Sequence, residues 1–280
     1  MSASIAPGRL HVVSTPIGNL GDFSFRAIEI LRSVALILAE DTRHSRTLLD
    51  RYEIRTPVAS YHEHNEARMT PVFVERILGG DDLALISDAG TPLLSDPGAR
   101  LVRAAIDAGI SVTAIPGASA LLSALVASGM SAERFTFFGF LPRKGRERSA
   151  TLAELASLQH TAVLYEAPSR VADTLGDLEA QGAGDRFVAV AREMTKQYEE
   201  VRRGTVRTLR AYYTDTPPRG EVVIVLAGAA ARVVDEADVR TRARELVAER
   251  RSARDVVAQL VAELGVPRNR AYEIVEEEKQ

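Results

Sequence analysis

The stretch Ser87 to Gly98, SDAGTPLLSDPG, follows the apolar run Leu83 to Ile86 and precedes a helical pattern that begins near Ala99. It reads as a buried strand that empties into a small-residue loop and then a helix. Gly90 and Gly98 permit positive φ or close backbone approach, and Pro92 stiffens the turn. Pro97 stands where a first helical turn tolerates a missing N–H, with Asp96 expected as the N-cap. Loops at the carboxyl ends of parallel strands are where open α/β sheets bind ligands. Taken alone, such a loop is an ordinary βα connection; its recurrence at several other strand ends makes it the organising feature of the chain.

Outward from this loop the alternation continues. Arg9 to Ser14 reads as a strand, followed by the loop TPIGNLGD and a helix near Phe25 to Leu31. Val34 to Ala39 is a second strand, with the polar loop EDTRHS and a short helix from Arg46 to Tyr52. Val58 to Tyr61 reads as a short strand, and Asn65 to Leu78 as a helix closed by Gly79 and Gly80. Ile110 to Ile115, the turn Pro116 to Ser119 and the helix Ala120 to Ala127, ended by Gly129, complete a pattern that predicts a largely parallel sheet with helices on both faces. After Ala132 a new sheet begins. Phe135 to Phe138 leads into the basic loop LPRKGRER, a helix from Ser149 to Leu158 and a strand from Thr161 to Tyr165. A helix from Arg170 to Ala180, a strand from Arg186 to Ala191, a long polar segment and a final strand from Glu221 to Ala227 follow. Three charged helical stretches close the chain, near Asp238 to Ala248, Ser252 to Leu264 and Pro267 to Glu278, with Gly265 and Pro267 forming a stop and start between the last two. The expected domains are therefore 1–120 and 121–230, both α/β, and a helix-turn-helix-like helical tail over 231–280.

Composition bounds the function. The 280 residues, 46% hydrophobic, suffice for two proper cores. Cysteine is absent, so no disulfide framework or thiolate metal site exists, and a cytoplasmic home is the default. MSASIAPGRL has neither a basic n-region nor a long apolar h-region, so no secretory leader is visible. Ile110 to Ala132 carries no charge, yet Pro116 and Gly117 interrupt it, and it reads as strand, turn and packed helix rather than a membrane span. The net charge of −3 excludes a polycation built for nucleic acid, so any such binding rests on local patches.

The chain lacks GxxxxGK[ST], GxGxxG with a following acidic residue, and GxSxG, which removes the usual support for nucleotide triphosphatase, dehydrogenase and hydrolase readings. His62 and His64 flank Glu63 in YHEHNE, but with no third ligand apparent no metal is expected. The blocks STPIGNLGD, AEDTRHSRTLL, YHEHNE, LALISDAGTPLLSDPG, IPGASA, FFGFLPRKGR, LYEAPSR, AREMTKQYEE and RGEVVIVLAG run from about Leu10 to Gly228. In order and spacing they resemble the ribosomal RNA small subunit methyltransferase I family of the tetrapyrrole-methylase-like superfamily. AEDTRH and SDAGTPLLSDPG together separate that family from its porphyrin-methylating relatives. Three positions depart from the pattern: Ser14 stands for a proline, Ala118 for the proline of PGPSA, and Ser169 for a histidine.

The resemblance implies two α/β domains with S-adenosyl-L-methionine held in the cleft between them, a homodimer, and 2'-O-methylation of a cytidine ribose in the decoding region of 16S rRNA, free or in the 30S subunit. Carried over by motif, the cofactor should meet Pro16, Ile17, Asp88, Gly90, Thr91, Pro92, Leu94, Ser119 and Ala120, and in the second domain Tyr165, Ala191 and Arg192. Two other readings remain: a methylase of a tetrapyrrole or other small molecule, and a non-catalytic RNA-binding module of ribosome assembly.

Methyl transfer from a sulfonium to a hydroxyl disperses charge, so a dry apolar cleft and exact positioning favour it. A ribose hydroxyl also needs a base, which typically contributes roughly 100- to 10,000-fold. Candidates are Asp41, the first choice, Glu40 beside it, Glu166 and Lys196. Asp41 adjoins Arg43 and His44, residue types able to engage a phosphate or orient the ribose; its alternative role is to cap the following helix and pair with Arg43. Arg143, Lys144, Arg146 and Arg148, next to Phe137, Phe138 and Phe140, form a basic loop able to follow an RNA backbone. Arg192, Lys196, Arg202 and Arg203 form a second basic patch, diluted by Glu193, Glu199 and Glu200.

Overall fold

The computed structural model describes residues 6–230, 236–249 and 251–278. Part of the stretch read for a leader, 1–5, and the start of the expected tail, 231–235, lie outside them. The chain divides into two compact units, Met1–Ala229 and Ala230–Gln280.

The larger unit opens with β1 (Arg9–Val13), α1 (Phe25–Ser33), β2 (Leu36–Ala39), α2 (Thr42–Arg51), β3 (Val58–Ser60), α3 (Glu66–Leu78), β4 (Leu83–Ile86), α4 (Ala99–Asp107) and β5 (Ser111–Ile115). The strands form one parallel sheet in the order β3-β2-β4-β1-β5. LILA and LALI, the two strands beside each other at its centre, are buried at every position, as parallel strands covered on both faces must be. Ile37, Ala39, Ala84 and Ile86 face α1 and α2 through Leu31 and Leu49. The alternate residues Leu36, Leu38, Leu83 and Leu85 face α3 and α4 through Phe73, Ile77 and Leu101. This doubly wound arrangement delivers the loops after β1, β2, β4 and β5 to one sheet edge.

The second lobe comprises α5 (Ala120–Ser128), β6 (Phe135–Phe140), α6 (Gly145–Ser157), β7 (Thr161–Glu166), α7 (Val171–Leu178), β8 (Phe187–Arg192), β9 (Glu200–Thr205), α8 (Val206–Asp215) and β10 (Val222–Leu226). Its sheet runs β6-β7-β10-β8-β9, parallel only between β6 and β7. Three helices, α6, α7 and α8, cover one face through Leu155, Leu175 and Leu209. The other face is covered by α5, whose Leu121, Ala124 and Leu125 pack on Val163, Ala189 and Val223. Truncating Leu125 to alanine in this setting costs about 2–5 kcal/mol.

Three local expectations need correction. The long polar segment before the last strand contains β9 and α8, the latter opened by a reciprocal cap between Thr205 and Thr208. The basic loop is shorter than expected, because α6 begins at Gly145 and takes Arg146 and Arg148 into its first turns. Asp96 does not cap α4. The N-cap is Gly98 at φ 127°, where a Cβ would lie 2.5 Å from Leu85 Cδ2.

The smaller unit is a bundle of α9 (Glu236–Ala248), α10 (Ala253–Leu264) and α11 (Arg268–Glu277). Val239, Leu246, Val257, Leu260 and Ile274 make its core. Ser252 caps α10 and Gly265 ends it in the left-handed region. Arg240, Arg242, Arg244, Arg251 and Arg270 are engaged in surface ion pairs, among them Arg242 with Glu263 and Arg244 with Glu278.

Candidate active site between two α/β lobes

The loops at the β-sheet edge are tied to one another by backbone and hydroxyl groups. Thr15 and Gly90 exchange backbone hydrogen bonds of 2.8 and 3.1 Å. Thr15 Oγ1 donates to Ser87 O at 3.2 Å, Ser14 Oγ lies 3.0 Å from Thr91 Oγ1, and Thr91 Oγ1 donates to Ala118 O at 3.2 Å. The β1, β4 and β5 loops therefore form one braced wall. Leu93 and Ser95 take φ values of 75° and 70°, which non-glycine residues adopt only where the surroundings impose them.

Against this wall the second lobe closes a cavity of about 330 Å³. Of the residues expected at the cofactor, Ile17, Gly90, Thr91, Leu94, Ala120 and Tyr165 line it. Pro16 and Asp88 instead line a neighbouring pocket of about 240 Å³. Pro92 is buried within the loop. Ser119 caps α5, accepting from Leu122 N. Ala191 is buried in the core on the α5 face of the sheet, and Arg192 pairs with Glu200 at 2.8 Å. Neither Ala191 nor Arg192 lines the cavity.

Sequence reasoning missed Asp96, Phe140, Pro168, Gly220 and Glu221, all of which line the cavity. Phe140 was legible only as part of an aromatic run; here it stands 5.5 Å from the Tyr165 ring. Gly220 and Glu221 had no signal, because they are brought in by the β8 to β10 pairing.

The carboxylates differ sharply. Asp41 is the N-cap of α2, accepting from Arg43 N at 2.8 Å and His44 N at 3.4 Å, and paired with the Arg43 guanidinium at 3.2 Å. That guanidinium, with the backbone donors, draws its carboxyl down to about 2. Burial pushes Asp96 up to about 6, with the charges of Glu40 and Asp88 adding to the rise and the Ser87 hydroxyl opposing it. Glu40 is raised too, by burial and then by Asp88. Glu166 is 1% exposed and fully engaged: it accepts from Thr174 Oγ1 at 2.6 Å and Ala167 N at 2.9 Å, and pairs with Arg170. Lys196 pairs with Glu193 and Glu221, both at 3.0 Å; burial works against its charge, but these carboxylates outweigh burial and raise its pKa.

The expected RNA contacts also separate. Arg43 is exposed beyond its pair with Asp41, and His44 lines the smaller pocket. Arg143, Lys144 and Arg146 are exposed, and among the described residues none has an ion-pair partner. Arg143 lines an open groove that shares Pro168 with the cavity. Arg148 is tied to Asp177 at 2.7 Å. In the second patch Arg202 stacks on Tyr212 and pairs with Glu200, and Arg203 donates to the carbonyls of Ala127 and Ser128. These side chains hold the lobe together instead of presenting a basic face. His62 and His64 stack edge to face, and among the described residues no cluster of three or more His, Asp or Glu is arranged to hold a metal ion. Among the described residues no helix is long and apolar enough to cross a membrane.

Two α/β lobes around a strand-end cavity define the tetrapyrrole methylase class. Residues 9–210 match the family model for tetrapyrrole (corrin/porphyrin) methylases. Diphthine synthase superposes with a TM-score of 0.59 at 16% identity, over 78% of this chain and 89% of its own. Uroporphyrin-III C-methyltransferase from Thermus thermophilus, solved with S-adenosylhomocysteine, gives 0.57 at 16% identity, over 79% and 97%. The ribosomal RNA small subunit methyltransferase I of Synechocystis sp. is 44% identical over 270 residues, 95% of this chain and 97% of the relative. That of Xylella fastidiosa is 46% identical over 269 residues, 95% and 98%. The chain belongs to the ribosomal RNA small subunit methyltransferase I family, within the tetrapyrrole methylases.

The cofactor of this family is S-adenosylmethionine, and the cavity has the chemistry to hold it. Leu94, Val222 and Val223 offer apolar walls for a purine, and Glu221 offers a carboxylate to a cationic end. Gly90, at φ 82°, leaves space that a Cβ would close, 3.2 Å from Ile17 Cγ2.

Proposed function

We propose that this chain methylates the ribose 2'-hydroxyl of a cytidine in the decoding region of 16S rRNA, using S-adenosylmethionine bound in the inter-lobe cavity. The observation that carries the reading is a mostly apolar cavity lined by three carboxylates, of which Glu166 and Glu221 are held in ion pairs, whereas Asp96 has a proton affinity that suits a base near neutrality. The agreement in length and sequence with relatives named for small-subunit rRNA supports the substrate. Bound there, S-adenosylmethionine supplies a methyl group on a positively charged sulfur.

The protein's part is positional and electrostatic. Thr91, Leu94, Ala120 and Tyr165 fix the donor, and Ile17 closes the side formed by the β1 loop. Asp96 accepts the hydroxyl proton as the ribose oxygen takes the methyl group, with Glu40 and Asp88 nearby to raise its basicity. Asp41, the first expectation for this role, is occupied as a helix cap, and Glu166 and Lys196 are held in ion pairs. Arg143, Lys144 and Arg146 follow the RNA backbone, joined by Arg43 on the first lobe. Pro168 connects the Arg143 groove to the cavity, which supports a continuous path.

The protein acts in the cytoplasm on 16S rRNA or the 30S subunit, as a homodimer. Leu122 and Val126, 50% and 80% exposed on α5, supply an apolar face for a second copy. The test is mass-spectrometric mapping of 2'-O-methyl groups on small-subunit rRNA from cells with and without the protein. Loss of one cytidine ribose methyl group on deletion is expected; an unchanged map contradicts the reading.

A further inference from the structure

We infer that the smaller pocket beside the cavity receives the nucleobase of the nucleotide being methylated, and that Asp88 selects a base carrying an exocyclic amine. The inference rests on the RNA-methylating function proposed above and says how that site chooses its base.

The pocket, of about 240 Å³, has room for a single base. Pro16, Leu20 and Leu48 give it apolar walls, and Asp88, Ser45 and Thr47 are among its polar groups. It adjoins the cavity across two loops. Pro16 and Gly18 face the pocket while Ile17 between them faces the cavity, and Ser87 and Asp88 face the pocket while Ala89, Gly90 and Thr91 face the cavity. A nucleotide whose base enters the pocket therefore keeps its ribose at the partition, next to the methyl donor.

Two observations point to a ligand. Ser45 is 3% exposed, lines the pocket, and its Oγ has no hydrogen-bond partner. A buried hydroxyl without a partner is a cost that an incoming acceptor relieves, and no bond holds this one away from the pocket. The second observation is the posture of Asp88. One carboxylate oxygen accepts Asp41 N–H at 3.1 Å, which fixes the side chain and leaves the other oxygen for a donor. A carboxylate accepts the N4 amine of cytosine and repels the O4 carbonyl that uracil presents at the same place. Ser45 then donates to the adjacent ring edge. Entering the pocket takes the base out of its stack, as enzymes that do chemistry on a base also do.

Asp88, expected at the cofactor from sequence, becomes a specificity residue for the substrate. The full-length protein is assayed with 30S particles reconstituted around unmethylated 16S transcripts carrying C or U at the methylated position. Wild type should prefer C by at least about tenfold in kcat/KM. Asp88→Asn, whose amide offers a donor as well as an acceptor, should bring that ratio to within about twofold while calorimetry shows unchanged affinity for S-adenosylmethionine. Thr47→Trp, which fills the pocket from the exposed face of α2, should abolish methylation with cofactor affinity retained. An unchanged C-to-U ratio in Asp88→Asn, or full methylation by Thr47→Trp, overturns the inference even though wild type methylates cytidine. A wild type that methylates neither particle overturns the functional reading on which it rests.

Discussion

Asp41 and Asp96 both follow central strands of one parallel sheet, and both sit where an α/β fold places its chemistry, yet their surroundings set them to different work. Asp41 meets the guanidinium of an arginine two residues on and two backbone N–H groups at a helix start, which hold its charge and lower its pKa to about 2. Asp96 stands on a strained loop, half-buried, with Glu40 and Asp88 nearby, and rises to about 6. The first is a stable anion and a weak base. The second binds and releases a proton in the range a catalyst needs. A strand-end position brings a carboxylate to the site, and its partners decide what it does there.

The largest effect that would break this comparison comes from removing the base. Asp96→Asn should lower kcat by about 100-fold or more with S-adenosylmethionine affinity unchanged by calorimetry. A loss confined to KM would make Asp96 a binding group instead. Next in size is the exchange at the other strand end. Asp41→Ala should lower the melting temperature by a few degrees through the lost cap, while leaving kcat within about fivefold of wild type at a temperature where the variant is folded.

A smaller effect sharpens the contrast through stability. The pKa of Asp96 in the folded protein, about 6, lies above that of an unfolded aspartate, so between about pH 4 and 6 the folded state binds more protons than the unfolded state. Its contribution to stability is therefore full at the acidic end and is lost as pH rises through 6. Asp96→Asn should melt slightly higher than wild type at pH 8 and show no such gain at pH 4, measured by calorimetric melting. Asp41 has the opposite sign, its stabilisation being present above about pH 4 and lost as pH falls towards 2. The smallest expected effect concerns RNA. Replacing Arg143 and Lys144 together by glutamine should weaken 30S binding and reduce the slope of log affinity on log salt by about 0.7–0.9 per lost contact, with no change in the pH profile.

The same contrast explains what the chain revealed in advance. LALI and LILA are apolar throughout and bounded by loop residues, so the parallel sheet and the strand-end loops were legible from pattern alone. The cap at Asp41 was legible as an alternative, since capping is a local hydrogen bond of known sequence spacing. Asp96 was misread for the same reason. SDPG before a helical pattern looks like a local cap, whereas its environment comes from Ser87, Glu40 and Asp88, which only the fold brings near. EVRRGT and VRTLRAYYTD were passed over because the arginines that make them look like a polar linker are satisfied by distant groups, Arg210 by Glu179 and Arg203 by the end of α5. Glu221 and Gly220 reach the cavity only through antiparallel pairing that no local period encodes.

The central claim, that the carboxylate on the β4 loop and not the one after β2 takes the ribose proton, is tested most directly by the pH dependence of single-turnover methyl transfer to 30S particles. Wild type and Asp41→Asn should both rise about tenfold per pH unit up to an inflection near 6 and then level, and Asp96→Asn should be slow with no inflection there. An inflection that persists near 6 in Asp96→Asn, or that vanishes in Asp41→Asn, would contradict the account.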